Sequence, residues 1–405
     1  MPTLRTSGPA PSHALDLAAE LMLRFAARTG LSTRQPPRRY LWTDAFAVRN
    51  FLTLAQRTGD AHHRDLALHL VDQVHAVLGR HRPDDARRGW LSGLDDHEGA
   101  LHPTRGGLRI GKPLPERVPS EPLDERLEWD REGQYFHYLT QWSRTLDEVS
   151  RFTGEVRYHR QARELAAVAH TSFKAGGAQL ATSPDEPPRL AWKMSVDLTR
   201  PLVPSMGHHD PLEGFLTFLA LQPDPERAPD SAEGADLRGA LADLALLVEG
   251  TDWTTTDPLG LGGLLTDLRR TERLLESGAL GDESLFEAIV IAARVGLSRY
   301  VQESELRLPA SHRLAFRELG LAIGLADVAR TLLELSGAGR SLPGAARRAA
   351  LLATLAPYQR LGPAIVGFWL ASAHRSGPAW MEHADLNDVM LATSLLPAQG
   401  IDVVA

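Results

Sequence analysis

The chain of 405 residues has no cysteine. That absence removes disulfides, thiolate metal sites and thiol nucleophiles together. No stretch approaches the run of about 18 apolar residues that a membrane-spanning helix requires, and the opening MPTLRTSGPAPSHALDLAAE carries no apolar segment ahead of a cleavage site. A cytoplasmic protein with no membrane partner is expected. Lysine and arginine form no block, and the formal net charge is -7 at pH 7, so nothing favours nucleic acid as a partner. Several motifs are missing too. Without GxSxG, a GxGxxG after a strand, or DDxxD, the chain is not expected to be a serine hydrolase, a Rossmann enzyme or a diphosphate-binding helical synthase. Residues 105–112, RGGLRIGK, have the GxxxxGK spacing, but Pro113 stands where a P-loop needs its Ser or Thr, and no strand precedes them. Asp96, His97, Glu98, His102, His208, His209 and Asp210 offer metal ligands, yet none has an HExxH-like spacing. Neither a metal nor a cofactor is expected.

What is present is helical. Hydrophobic residues make up 43% and charged residues 23%, enough for a sizeable core. Tyr135, Leu139, Trp142, Leu146 and Val149 recur at steps of four and three, which is one apolar stripe on an α-helix expected from Trp129 onward. Thr153-Gly154 ends it, because glycine takes the left-handed conformation without a Cβ clash. A second helix follows, with Val156, Ala162, Leu165, Ala166, Ala169 and Phe173 facing the first and Arg157, Arg160, Arg163 and Glu164 expected in water. The same unit precedes it: a helix buried all round (AFAVRNFLTLAQRTG, capped by Asp44), Thr58-Gly59-Asp60, then an amphipathic helix with Leu66, Leu70, Val74 and Val77 inward. Further pairs start near Asp210, Asp257 and His312, with a lone helix at each end of the chain. Twelve helices whose last can pair with the first predict a single all-α (α/α)6 toroid of six hairpins over residues 1–405. An open helical superhelix is the alternative. Residues 1–12 read as a flexible tail, and residues 81–131 and 174–209 as long loops over the mouth of the ring. Leu190, Trp192, Met194, Val196 and Leu198 alternate like a strand, so a small β-hairpin is expected in the second loop.

The buried helices begin with polar residues that packing does not require. In a ring, Trp42-Thr43-Asp44, Glu128-Trp129-Asp130, Gly207-His208-His209-Asp210, Thr254-Thr255-Thr256-Asp257, Ser311-His312-Arg313 and Glu382-His383-Ala384-Asp385 would all converge. Capping explains one oxygen per helix and leaves the histidines and Glu128 unexplained. Converging carboxylates and imidazoles suit general acid and base work, since burial and neighbouring charge split their pKa values. Asp130 and Asp210 are the expected carboxylates, and His209 or His383 the proton shuttle. Trp42, Trp129, Trp192 and Trp253 lie beside these groups, where flat apolar faces fit the C–H faces of a sugar. Arg109 and Lys112 could hold a carboxylate or phosphate of the substrate.

With these twelve helices, Thr-Gly-acid turns and acids at the starts of buried helices, the chain resembles the six-hairpin glycosidase-like superfamily. The resemblance implies a carbohydrate-active enzyme with its small-molecule substrate in the mouth of the toroid. It spans unsaturated uronyl hydrolases and other glycoside hydrolases, which use aspartates on inner helices, and N-acylglucosamine epimerase-like isomerases, which use paired histidines. A glycoside hydrolase acting on a small sugar is the leading expectation. A sugar isomerase is the second, and a non-catalytic scaffold or ligand-binding protein the third.

Overall fold

The structure is a computed structural model describing residues 11–183, 186, 188–222, 235–303, 306–337 and 344–396. Residues 1–10 of the expected tail lie outside the described residues, and the first helix already begins at Pro11, a residue suited to a first helical position. The chain is mostly helical. In order it forms α1 (Pro11–Arg28), α2 (Leu41–Thr58), α3 (Ala61–Leu78), α4 (Asp96–Leu101), α5 (Glu125–Glu128), β1 (Gln134–Tyr135), α6 (Phe136–Thr153), α7 (Val156–Leu180), β2 (Lys193–Met194), α8 (Asp210–Ala220) and α9 (Arg238–Val248). There follow α10 (Pro258–Glu276), α11 (Ser284–Glu303), α12 (Ala315–Ser336), α13 (Ala345–Ala353), α14 (Leu361–Leu370), α15 (Ser372–Arg375), α16 (Pro378–Met381) and α17 (Ala384–Leu395). Among the described residues no helix is long and apolar enough to cross a membrane. The chain divides into two compact units, Ala26–Gly250 and Met1–Phe25 with Thr251–Gln399.

In the first unit the hairpins α2/α3, α6/α7 and α8/α9 each pack on themselves, and α2, α6 and α8 lie side by side in that order. Their turns follow from sequence. Gly59 and Gly154 sit at φ 71° and 75°, the Thr58 and Thr153 hydroxyls accept the amides of Asp60 and Glu155 at 3.1 and 3.2 Å, and Asp60 caps α3 through His62 N at 2.9 Å. The stripe of α6 is buried along its whole length. Three expectations on α7 fail: Val156, expected to face α6, is exposed at the first residue of the helix. Arg163 and Glu164 are buried, because Arg163 donates to the Ala235 carbonyl at 3.0 Å and Glu164 accepts from His102 at 2.7 Å.

The region before α6 differs from its reading as helix. Trp129 and Asp130 form a turn, Arg131 bridges Leu114, and the helix begins only at Phe136, after β1. β1 takes β2 as an antiparallel partner, Gln134 opposite Met194 and Tyr135 opposite Lys193. Of the alternating stretch Leu190–Leu198 only Lys193 and Met194 form a strand; Met194 also bridges Pro201, but the ladder partner comes from ahead of α6 instead of a hairpin within the loop. Loop 81–131 is built into the core: Thr104, Leu108 and Ile110 are fully buried, and Ile110 receives the Leu41 amide at 3.0 Å. That contact ties the loop to the start of α2.

In the second unit α12 lies between α10 and α17, with α11 behind α10 and with α13 and α14 behind α12. The approach of α10 to α12 is close because Gly262 meets the carbonyl of Gly320, leaving no space for a Cβ. Arg348 on α13 pairs with Glu272 of α10 at 2.6 Å and with Glu283 at 2.5 Å. The last helix does meet the first, since Arg24 of α1 reaches Asp388 of α17 at 3.4 Å. The twelve expected helices are α1–α3, α6–α13 and α17. Four more, α4, α5, α14 and α15, lay outside that reading, and the last expected helix, about Pro378 to Leu396, is broken into α16 and α17.

Candidate active site

The starts of α2, α6 and α8 gather the chemistry of the first unit. Tyr40 and Tyr135 are the N-cap residues of α2 and α6, both with extended backbone, so each helix leaves its first turn beside an aromatic ring. His137 lies in the first turn of α6, and Asp210 is the first residue of α8. Because α6 and α8 pack together, His137 Nδ1 comes to 3.5 Å from Asp210 Oδ1. One turn along, Gln141 Nε2 donates to Glu213 Oε1 at 3.0 Å, and Arg49 of α2 donates to Gln141 Oε1 at 3.5 Å.

Asp210 is 5% exposed, and its Oδ2 has no hydrogen-bond partner among the described residues. Gly207 presses on that carboxylate so closely that a Cβ there would collide with it. His137 keeps an accessible edge. Burial opposes its charged form, but the negative charges of Asp210 and Glu213 outweigh burial and raise its pKa above the ordinary 6.5. An imidazole held by a carboxylate in this way can give a proton to a substrate oxygen, or take one once neutral.

Aromatic rings surround this pair. Trp192 lies between Trp129, 5.4 Å away and edge-on, and Tyr135, at 5.3 Å; Tyr135 stands 5.4 Å from His137. On the other side the Tyr138 ring meets His137 at 4.7 Å, and the Tyr138 and Tyr40 hydroxyls are 2.6 Å apart. Burial, then Tyr40, push the Tyr138 phenol well above its usual pKa, so it remains protonated. Lys112 places its ammonium 5.3 Å from the centre of the Tyr40 ring.

The residues singled out from the sequence scatter into three groups. Asp210, Trp192 and Lys112 belong to the cluster, with Trp129 at its edge, 53% exposed. His209 is the N-cap residue of α8 without a side-chain cap bond, and its ring lies 4.7 Å from that of exposed His208. Trp42 is half-buried on Phe46 at 4.5 Å.

The second group is committed to structure. Arg109 is buried, pairs with Glu132 and donates to the carbonyls of Arg80 and Val77 at 2.7 and 2.6 Å, so it fastens the end of α3 and cannot also grip a substrate. Glu128 is buried between Lys193, at 2.8 Å, and Arg117, at 3.2 Å. Asp44 does not cap α2 from in front; it sits inside the first turn, accepts the Tyr40 amide at 2.9 Å and faces Arg39 at 3.5 Å. Asp130 is exposed in the turn after α5, six residues ahead of α6, and so is not at the start of an inner helix.

The third group lies in the second unit. Trp253 is a core residue, 1% exposed. His312 is exposed in a 3-10 turn with Ser311 Oγ 3.0 Å from its Nδ1, and His383 ends the approach to α17 with its ring 5.6 Å from Phe316.

His137, Tyr138, Tyr40, Gln141 and Glu213 were absent from the sequence reading. A signal for some of them exists: His137, Gln141, Arg144 and Glu148 recur at steps of four, three and four, a half-buried polar stripe beside the apolar one on α6. No family model, characterised protein or solved structure matches the chain.

Proposed function

We propose that the chain is an enzyme acting on a sugar or short oligosaccharide by general acid and base catalysis at the starts of α2, α6 and α8. The observation that carries this is the His137–Asp210 pair at 3.5 Å, set among Trp129, Trp192, Tyr135 and Tyr138. The rings offer apolar faces for the C–H surfaces of a sugar, and the imidazole supplies the mobile proton. In hydrolysis, His137 protonates the leaving oxygen and Glu213 or Asp210 supports attack by water. Isomerisation is the second reading, and the exposed position of Asp130 favours it, since hydrolysis was to use Asp130 as its second carboxylate. There the neutral imidazole takes a proton from the carbon beside a ring-opened carbonyl and returns it.

The (α/α)6 toroid is the architecture we propose around this site. Its supports are three neighbouring inner helices in each unit, α2, α6 and α8 or α10, α12 and α17, together with the α1–α17 contact.

Proton NMR of the protein with neutral and acidic mono- and disaccharides separates these reactions. New anomeric signals indicate hydrolysis, and interconversion of free sugars indicates isomerisation. Either should fall roughly 100-fold or more in His137→Ala, while Asp130→Asn retains turnover. No change in any sugar, with wild-type protein, would overturn the enzymatic reading.

A further inference from the structure

The cations of the first unit are not equally engaged. Lys193 spends its three donors on the Glu128 carboxylate and on the carbonyls of Glu128 and Arg131, at 2.7 to 2.9 Å. Arg109 is likewise committed to Glu132 and two carbonyls. Lys112 is different. Its backbone is fixed, the amide donating to Glu132 at 3.3 Å and the carbonyl receiving Arg82 at 2.6 Å, but its ammonium meets only the face of Tyr40, and no carboxylate of the described residues pairs with it.

Beside it stands the Tyr40–Tyr138 pair. Of two hydroxyls 2.6 Å apart one donates to the other, so the accepting hydroxyl still has its own proton to give, and no other acceptor among the described residues takes it. An ammonium over the Tyr40 ring together with a hydroxyl that has a proton to spare offers an excess of donors and one positive charge. A ligand group that is acceptor-only and negative matches both, whereas a sugar hydroxyl would leave the ammonium uncompensated. The aromatic surroundings lower the local polarity and strengthen such a charge-assisted contact.

We propose that Lys112, Tyr40 and Tyr138 form an oxyanion-binding subsite beside His137, which takes the carboxylate of an acidic sugar or the phosphate of a sugar phosphate. This rests on the sugar reading above and names its substrate class. The Tyr138 ring, 4.7 Å from His137, fixes the anion next to the proton-transfer group, so the charged end of the substrate sets the register of its reacting carbon.

The test measures binding apart from turnover. Glucuronate, glucose 6-phosphate and glucose are titrated by calorimetry into the full chain and into Lys112→Met, Lys112→Arg and Tyr138→Phe, each first shown by thermal unfolding to keep the wild-type transition. The expected result is at least one oxyanion sugar bound tighter than glucose, weakened roughly tenfold or more in Lys112→Met, less in Tyr138→Phe because the Tyr40 hydroxyl still has a proton to give, and largely retained in Lys112→Arg. The tighter of the two anions identifies the oxyanion. Equal affinities for all three sugars, or equal weakening of neutral and anionic sugars in Lys112→Met, overturns the subsite. Lys112-dependent anion binding without any sugar turnover supports the subsite and counts against the enzyme; turnover of neutral sugars indifferent to Lys112 does the reverse.

Discussion

At the scale of single residues, His75 on α3 and His137 on α6 have opposite electrostatics. His75 is buried and accepts the Trp142 indole N–H at 3.1 Å; burial, then Arg157, lower its pKa to about 3. His137 has two carboxylates nearby and is raised. Asp210→Asn removes the larger of those two carboxylate contributions while burial remains, so the His137 pKa should drop below that of a free histidine, read as its imidazole carbon-proton shift against pH. An unchanged midpoint would show that Asp210 does not hold the charge. His75→Phe leaves an indole donor buried without an acceptor and should cost about 1–3 kcal/mol in denaturant unfolding. Gly207→Ala tests a third residue. The added methyl meets the Asp210 carboxylate, so it should lower turnover with little loss of global stability, because the loop can shift where the helix cannot.

At the scale of elements, the αL turns and the buried ion pairs carry separable costs. Gly154 has φ 75° and open space around a Cβ, so Gly154→Ala costs only conformational strain, about 1 kcal/mol. Glu132→Gln strips Arg109 of its counter-ion inside a buried loop and should cost about 3–5 kcal/mol, several times more, by the same measurement. The turns were legible from sequence because Thr-Gly-acid uses only neighbours in the chain. The stripe of α6 was legible because period alone decides which side is buried. Arg109 and Glu128 were not: nothing local distinguishes a loop charge that meets a substrate from one that closes on Glu132 or Lys193 from distant parts of the chain. The start of α6 was misplaced because Glu128, Trp129 and Asp130 carry helix-start chemistry, yet Glu128 ends the short α5, Trp129 and Asp130 turn after it, and β1 intervenes before Phe136. Helix α14, LGPAIVGFWL, was missed since it is apolar on every side and so has no period, with Pro363 tolerated in its first turn. His137 and Tyr138 escaped because a residue off the apolar stripe reads as solvent-facing unless the neighbouring helix is known.

At the scale of the whole molecule, the pattern of histidine burial sets how stability responds to acid. His63, His75, His81 and His170 all have lowered pKa values with burial as the leading cause, and all belong to the unit Ala26–Gly250. A lowered histidine is neutral in the folded chain at a pH where the unfolded chain has bound a proton. Its contribution is therefore complete above the unfolded value near 6.5 and is lost as pH falls toward the folded value, which for His75 is about 3. His137, being raised, runs the other way: its contribution is complete below about 6.5 and is lost as pH rises through its folded pKa. Four groups oppose one. Between pH 7.5 and 5.5, above the range where most carboxylates titrate, stability should fall with acid, each lowered histidine contributing a slope of up to about 1.4 kcal/mol per pH unit below its unfolded pKa. Denaturant titrations followed by tryptophan fluorescence at those two pH values measure this. His75→Phe should flatten part of the slope and His137→Ala should steepen it, and a stability that is level or rising on acidification would mean that these side chains admit water and protonate in the folded chain.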